Sequence, residues 1–196
     1  MNIKTYPFAL PQKPYFVEYL FYQGMFLPHE IEMIQALWRE DDIAAAEVSS
    51  DAKYDESLRK GSVLGIEVTD QNRWAYQKLE QIAHAANNER YQFDMTGFNE
   101  PLQLARYGVG DFFDWHLDFG AGNISNRKLS MTIQLTDPDE YEGGDLQFMI
   151  NQRVVTAPRE KGTIIVFPSF ILHRVTEITK GTRESIVAWV SGPAFR

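Results

Sequence analysis

The 196 residues carry a formal net charge of −8, with hydrophobic residues at 44% and aromatic residues at 13%. A chain of this size buries a substantial core, and its acidic balance argues against nucleic-acid phosphate as the main partner. Cysteine is absent, which excludes disulfides, thiolate metal sites and cysteine nucleophiles.

Met1 to Phe16 is broken by Pro7, Pro11 and Pro14 and lacks the apolar run of a signal peptide. No later stretch approaches the roughly 18 apolar residues of a membrane span. The expectation is a soluble, cytoplasmic protein without a membrane partner, one domain over residues 1–196. Phe16 to Phe26 is aromatic and reads as an early strand, and Pro28 then opens a helix that buries Ile31, Ile34, Leu37 and Trp38. Residues 41–62 are charged and small and read as an exposed excursion. A second helix is expected over Asn72–Ala86, with Thr69 or Asp70 as its cap and Trp74, Leu79, Ile82, Ala83 and Ala86 on its inner side. Helical support thus covers about residues 27–90, ahead of a β core over about 95–192.

From Pro101 the pattern changes to short β-prone runs separated by turns: Gln103–Tyr107, Phe112–Asp118, Leu129–Leu135, Leu146–Ile150, Arg153–Ala157, Thr163–Phe167, His173–Val175 and Ser185–Val190. Short strands at such spacing predict a β-sandwich or jelly roll, giving an α+β, mainly β fold.

The chain has four histidines, His29, His84, His116 and His173. Residues i and i+2 of a strand share a face, so His116 and Asp118 can reach one cation together. His173 arrives from a distant strand. Two histidines and one carboxylate leave coordination positions open, which suits iron(II) and oxygen activation. An isolated H-x-D is a weak signal, and a hydrogen-bonded core histidine is the competing reading; it is the one assigned to His29 and His84. Arg183 follows His173 across the turn Lys180-Gly181-Thr182 and can offer a bidentate partner to a dicarboxylic cosubstrate. Tyr107 precedes His116 across two glycines and can donate to the same carboxylate. The acidic run Asp137–Asp145 invites a calcium-loop reading, but loop position twelve would be Phe148 where a bidentate glutamate is needed. It reads as a solvated turn.

Taken together, Tyr107-Gly-x-Gly-x(5)-His116-x-Asp118, Leu129-Ser-x-Thr-x-Gln-Leu-Thr-Asp-Pro-Asp-x-Tyr-x-Gly-Gly-Asp-Leu146, Gly162-x(4)-Phe-Pro168-x(4)-His173-Arg-Val175 and Gly181-x-Arg183-x(5)-Trp189 resemble the prolyl-4-hydroxylase-like Fe(II)/2-oxoglutarate-dependent oxygenases, in particular their PKHD-type branch. The resemblance spans roughly residues 95–192. It implies a double-stranded β-helix (jelly roll, cupin-like) with N-terminal supporting helices, and Fe(II) held by His116, Asp118 and His173 as the catalytic centre. It further implies 2-oxoglutarate on the metal, with its C5 carboxylate on Arg183 and Tyr107. O2 is the implied oxidant, and L-ascorbate is admitted as an accessory.

Gln134 falls where related enzymes often carry a tyrosine in the cosubstrate pocket, and Trp189 has the parity to pack over the cosubstrate, against an ordinary core tryptophan. The implied reaction is decarboxylation of 2-oxoglutarate to succinate and CO2, coupled to C–H hydroxylation. Asp118 favours that outcome, because halogenating relatives lack this carboxylate. The implied substrate is a peptidyl proline, with another residue, a free amino acid or a small molecule as alternatives and no nucleic-acid partner. Segment 41–62, with Arg59 and Lys60, is the candidate substrate-facing lid, against an ordinary surface loop. A metal-binding cupin-like module without turnover is the rival class, and the Arg183–Tyr107 pair argues against it.

Overall fold

The computed structural model describes residues 16–38, 44–45 and 57–195. Strand β1 (Leu20–Tyr22), helix α1 (Pro28–Gln35), β2 (Ala44–Ala45), β3 (Arg59–Lys60), β4 (Ser62–Ile66), helix α2 (Arg73–Ala86) and β5 (Gly97–Phe98) come first. The β half follows as β6 (Leu102–Tyr107), β7 (Phe112–His116), β8 (Arg127–Gln134), β9 (Tyr141–Gly143), β10 (Leu146–Ile150), β11 (Arg153–Thr156), β12 (Ile164–Pro168), β13 (His173–Val175), β14 (Ile178–Gly181) and β15 (Arg183–Ser191).

Eight strands make a major sheet in the order β1-β12-β8-β15-β6-β4-β2, with β5 attached to β15. Five make a minor sheet, β11-β10-β13-β7-β3, and β9 pairs with β14 alone. Between β6 and β15 the chain crosses from one sheet to the other repeatedly. The architecture is α+β and mainly β, a double-stranded β-helix with supporting helices, as expected.

Period-two alternation sorts the major sheet into two chemistries. One face carries Leu102 and Leu104 of β6, Leu129, Met131 and Ile133 of β8, Ile164 and Val166 of β12, and Ile186, Ala188 and Val190 of β15, all packed with Leu79, Ile82, Ala83 and Ala86 of α2. Burial of each large side chain there contributes roughly 1.5–3 kcal/mol. The opposite face presents Thr132, Arg183, Ser185, Val187 and Trp189 to the space between the sheets. The same strands therefore build the core with one parity and the site with the other.

Several expectations shift. The early strand contracts to Leu20–Tyr22, and α2 starts at Arg73 with Asn72, not Thr69 or Asp70, in the capping position. Thr69 supports that start from outside, its hydroxyl accepting from the Asn72 amide at 3.3 Å. His29 and His84 lie exposed on α1 and α2, so neither is the core histidine expected; each falls on the solvent side of an amphipathic helix. Strands β4, β5, β9 and β14 were not anticipated: their short, glycine-containing or charged sequences give no alternating signal. Most of the expected excursion at 41–62 lies outside the described residues, but its end is ordered into β3 and the start of β4.

Candidate active site

The cavity between the sheets has about 440 Å³ of free space, its mouth included, and is lined by both expected histidines, Asp118, Tyr107, Arg183, Trp189 and Arg59. His116 and His173 are direct Cα partners across β7 and β13. Between His173 and Val175 the register slips by one residue, because β7 carries an extra residue between Phe113 and His116. Such a bulge re-aims side chains. Here it brings Phe113 and His116 to the same side, with their rings stacked at 3.4 Å.

Asp118 lies beyond the end of β7. Its amide donates to the Ser169 carbonyl at 3.0 Å, which fixes the chain there without strand pairing. Its carboxylate oxygens stand 3.7 Å from His116 Nε2 and 3.5 Å from His173 Nε2. Candidate ligand atoms of the three residues all lie within 4.8 Å of one another, the one such group of His, Asp and Glu among the described residues. That leaves the acidic run at 137–145 as a short 3-10 turn leading into β9.

Each imidazole is oriented from behind. His116 Nδ1 donates to the Asp114 carbonyl at 2.7 Å, and His173 Nδ1 to the Ile171 carbonyl at 2.8 Å. Both Nε2 lone pairs are thereby left for a cation. Burial pushes the His116 pKa down to about 3, and the neighbouring His173 acts in the same direction, so this ring is neutral at ordinary pH. Burial alone would raise the Asp118 carboxyl. His173, His116 and the Ser130 hydroxyl, which donates to it at 2.6 Å, outweigh burial and bring it down to about 2. Two imidazole nitrogens and one carboxylate, converging and buried, fit a divalent metal with positions to spare.

Elsewhere in the cavity, Arg183 is 1% exposed and its Cα is the register partner of Tyr107. Its guanidinium donates to Gln134 Oε1 at 2.9 Å and to Ser185 Oγ at 3.3 Å, while Nε has no hydrogen-bond partner among the described residues. Among the described residues no carboxylate lies within 4.0 Å of it. Burial disfavours its charge, yet arginine stays protonated. A buried cation without a nearby anion is costly, and a carboxylate at this position would offset that cost. Gly144, at positive φ just after β9, lets the backbone pass close to Arg183: a Cβ there would stand 3.0 Å from Arg183 Cδ.

Gln134 touches Arg183 from behind and does not line the cavity. Trp189 does line it, with the Arg127 guanidinium 3.8 Å over its ring and Nε1 without a hydrogen-bond partner among the described residues. Arg59 is buried, its guanidinium 4.5 Å from the Phe113 ring. Ser130, Ser169 and Arg127 were missed in the sequence; serines on a strand give no periodic signal, and Arg127 reaches Asp118 only through its backbone carbonyl, at 3.2 Å. A larger hollow of about 730 Å³ between α1, α2 and the helix-facing side of the major sheet has no ionisable lining residue and offers no chemistry.

Residues 102–191 match the model of the 2OG-Fe(II) oxygenase superfamily. A PKHD-type hydroxylase of Prochlorococcus marinus is 29% identical over 160 residues, covering 82% of this chain and 69% of the relative. Other PKHD-type hydroxylases are matched over 57% and 40% of their own lengths, so the chain spans only part of them. Among solved structures, a prolyl-4-hydroxylase of Pseudomonas putida superposes with a TM-score of 0.73 at 17% identity, over 90% of this chain and 94% of that one. A prolyl hydroxylase of Trichoplax adhaerens, in complex with a hypoxia inducible factor oxygen degradation domain peptide fragment, gives 0.74 at 14% identity, over 89% and 83%. Both structures share the fold. Among the described residues no helix is long and apolar enough to cross a membrane.

Proposed function

We propose that this chain is an iron(II)- and 2-oxoglutarate-dependent dioxygenase, a reading supported by the match of residues 102–191 to the 2OG-Fe(II) oxygenase superfamily, and that it hydroxylates a C–H bond of a peptidyl substrate, with proline as the favoured residue. The observation that carries this reading is one cavity with the converging His116, Asp118 and His173 together with the buried Arg183, which has no carboxylate partner among the described residues.

In this reading His116 Nε2, His173 Nε2 and one Asp118 oxygen hold the iron, and Arg183 with Tyr107 holds the C5 carboxylate of 2-oxoglutarate. Iron with 2-oxoglutarate and O2 supplies the oxidising power for hydroxylation, with succinate and CO2 as co-products. The protein contributes orientation and exclusion of water. Ser130 fixes the Asp118 carboxylate, the Asp114 and Ile171 carbonyls fix the two imidazole tautomers, and Trp189, Val187 and Leu146 wall the cavity. Peptidyl proline is supported by the fold neighbours, which include a prolyl-4-hydroxylase and a prolyl hydroxylase bound to a peptide fragment.

The test is a peptide library incubated with the Fe(II)-loaded chain, 2-oxoglutarate and O2, scored by the mass gain of one oxygen atom and by succinate. Oxygen gain on proline-containing peptides, in step with succinate, is the expected result. Gain confined to peptides without proline, or to free amino acids, would overturn the prolyl reading. No succinate and no metal-dependent binding of 2-oxoglutarate would overturn the whole of it.

A further inference from the structure

Arg59 enters the cavity from β3, the last strand of the minor sheet, as the Cα partner of Phe113 on β7. Its side chain is buried and stacks on the Phe113 ring, which in turn stacks on His116. One terminal nitrogen donates to Gln103 Oε1 at 3.1 Å and to the Tyr107 phenol oxygen at 3.2 Å. Gly61, two residues on, packs against the same tyrosine: a Cβ there would stand 2.9 Å from Tyr107 Cε1. Segment 59–61 thus grips Tyr107 at both its hydroxyl and its ring.

The direction of that hydrogen bond has a consequence. A phenol has one hydrogen to donate, and a guanidinium can only donate. The Tyr107 oxygen therefore accepts from Arg59, and its own hydrogen has no acceptor among the described residues. Tyr107 is buried, and both it and Arg183, its register partner, line the cavity.

We infer that Arg59 is a positioning residue for the cosubstrate: by donating to the Tyr107 oxygen it turns the phenol O–H toward the distal carboxylate held by Arg183. A donor that is itself hydrogen-bonded is polarised and donates more strongly. The inference rests on the function proposed above, and it moves Arg59 from the substrate side of the reaction to the cosubstrate side.

The test uses the Mn(II)-loaded chain and two ligands, 2-oxoglutarate and oxalate, titrated calorimetrically. Oxalate chelates a metal through adjacent carboxylates but lacks the distal one. Arg59→Gln weakens 2-oxoglutarate by about 10-fold, the scale of one buried charge-assisted hydrogen bond, and leaves oxalate unchanged. Tyr107→Phe does the same, and the double variant is no weaker than Tyr107→Phe alone, since the first residue acts through the second. Arg59→Lys, which keeps one donor, recovers part of the loss. Equal weakening of oxalate, additivity of the two substitutions, or no change in Arg59→Gln would each overturn the assignment. If the unsubstituted protein binds oxalate but not 2-oxoglutarate, the functional reading falls and this inference with it. If it binds both and Arg59→Gln matches it, only the role of Arg59 falls.

Discussion

Arg183 and Tyr107 stand directly opposite each other on β15 and β6, and both side chains line the space between the sheets. One register position thus brings a guanidinium and a phenol to the same end of the cavity. Lysine at 183 would keep the charge but lose the planar fork. Arg183→Lys is expected to weaken 2-oxoglutarate binding to the Mn(II)-loaded chain by about 10-fold, and Arg183→Ala by about 100-fold, on the scale of charged hydrogen bonds. Titration calorimetry reads both values. Retained affinity in Arg183→Ala would mean the carboxylate lies elsewhere.

Ser130 carries no metal-binding atom in the proposed site, yet its hydroxyl donates to Asp118 Oδ2 at 2.6 Å and touches Ser169 Oγ at 3.1 Å. It occupies lone-pair capacity on one carboxylate oxygen and holds the group in a single orientation. Residues behind metal ligands typically carry about 10–100-fold in affinity. Ser130→Ala should lower Mn(II) affinity within that range while the thermal midpoint of the metal-free protein changes little. An unaltered dissociation constant would show that Asp118 needs no such support.

Much of this site is legible in the sequence because strand parity does two jobs. Leu129, Met131 and Ile133 point to the helices, and the alternation that reveals them also marks Ser130 and Thr132 as facing the other way. The expected pairing of His116 with Asp118 was reached by that parity, but the molecule achieves it differently. The strand stops at His116, and Asp118 is fixed by the Ser169 carbonyl and the Ser130 hydroxyl. No periodic signal announces the extra residue in β7 that sets Phe113 against His116. Nor does local sequence reveal what Arg59 touches, because its partners Gln103 and Tyr107 come from a strand more than 40 positions away.

Gly144 offers a steric probe of the same guanidinium. It has φ +63°, and an added Cβ would overlap the Ile178 side chain and crowd Arg183 Cδ. Gly144→Ala is expected to cost about 1–3 kcal/mol of stability through overpacking and backbone strain. It should also weaken 2-oxoglutarate several-fold, with Mn(II) affinity intact, because the metal ligands lie on other elements. Denaturant unfolding and calorimetry separate the two effects. A variant that loses stability but binds 2-oxoglutarate normally would show that Arg183 tolerates the shift.

The buried, neutral imidazole of His116 makes the metal-free protein sensitive to acid. Its folded pKa of about 3 lies below the ordinary 6.5, so between those values the unfolded chain binds a proton that the folded chain refuses. Stability therefore falls as pH drops through that window, by up to about 1.4 kcal/mol per pH unit for one proton. Asp118 acts with the same sign lower down: its folded pKa is near 2 against an ordinary 3.8, so its contribution is present above 3.8 and lost as pH falls toward 2. Replacing the ring by an uncharged amide removes the upper contribution. His116→Gln should flatten the urea midpoint between about pH 6 and pH 4, measured with a chelator present, relative to the unsubstituted chain. Parallel losses in the two proteins would mean that the ring protonates freely in the fold, contrary to its enclosure between Phe113 and His173.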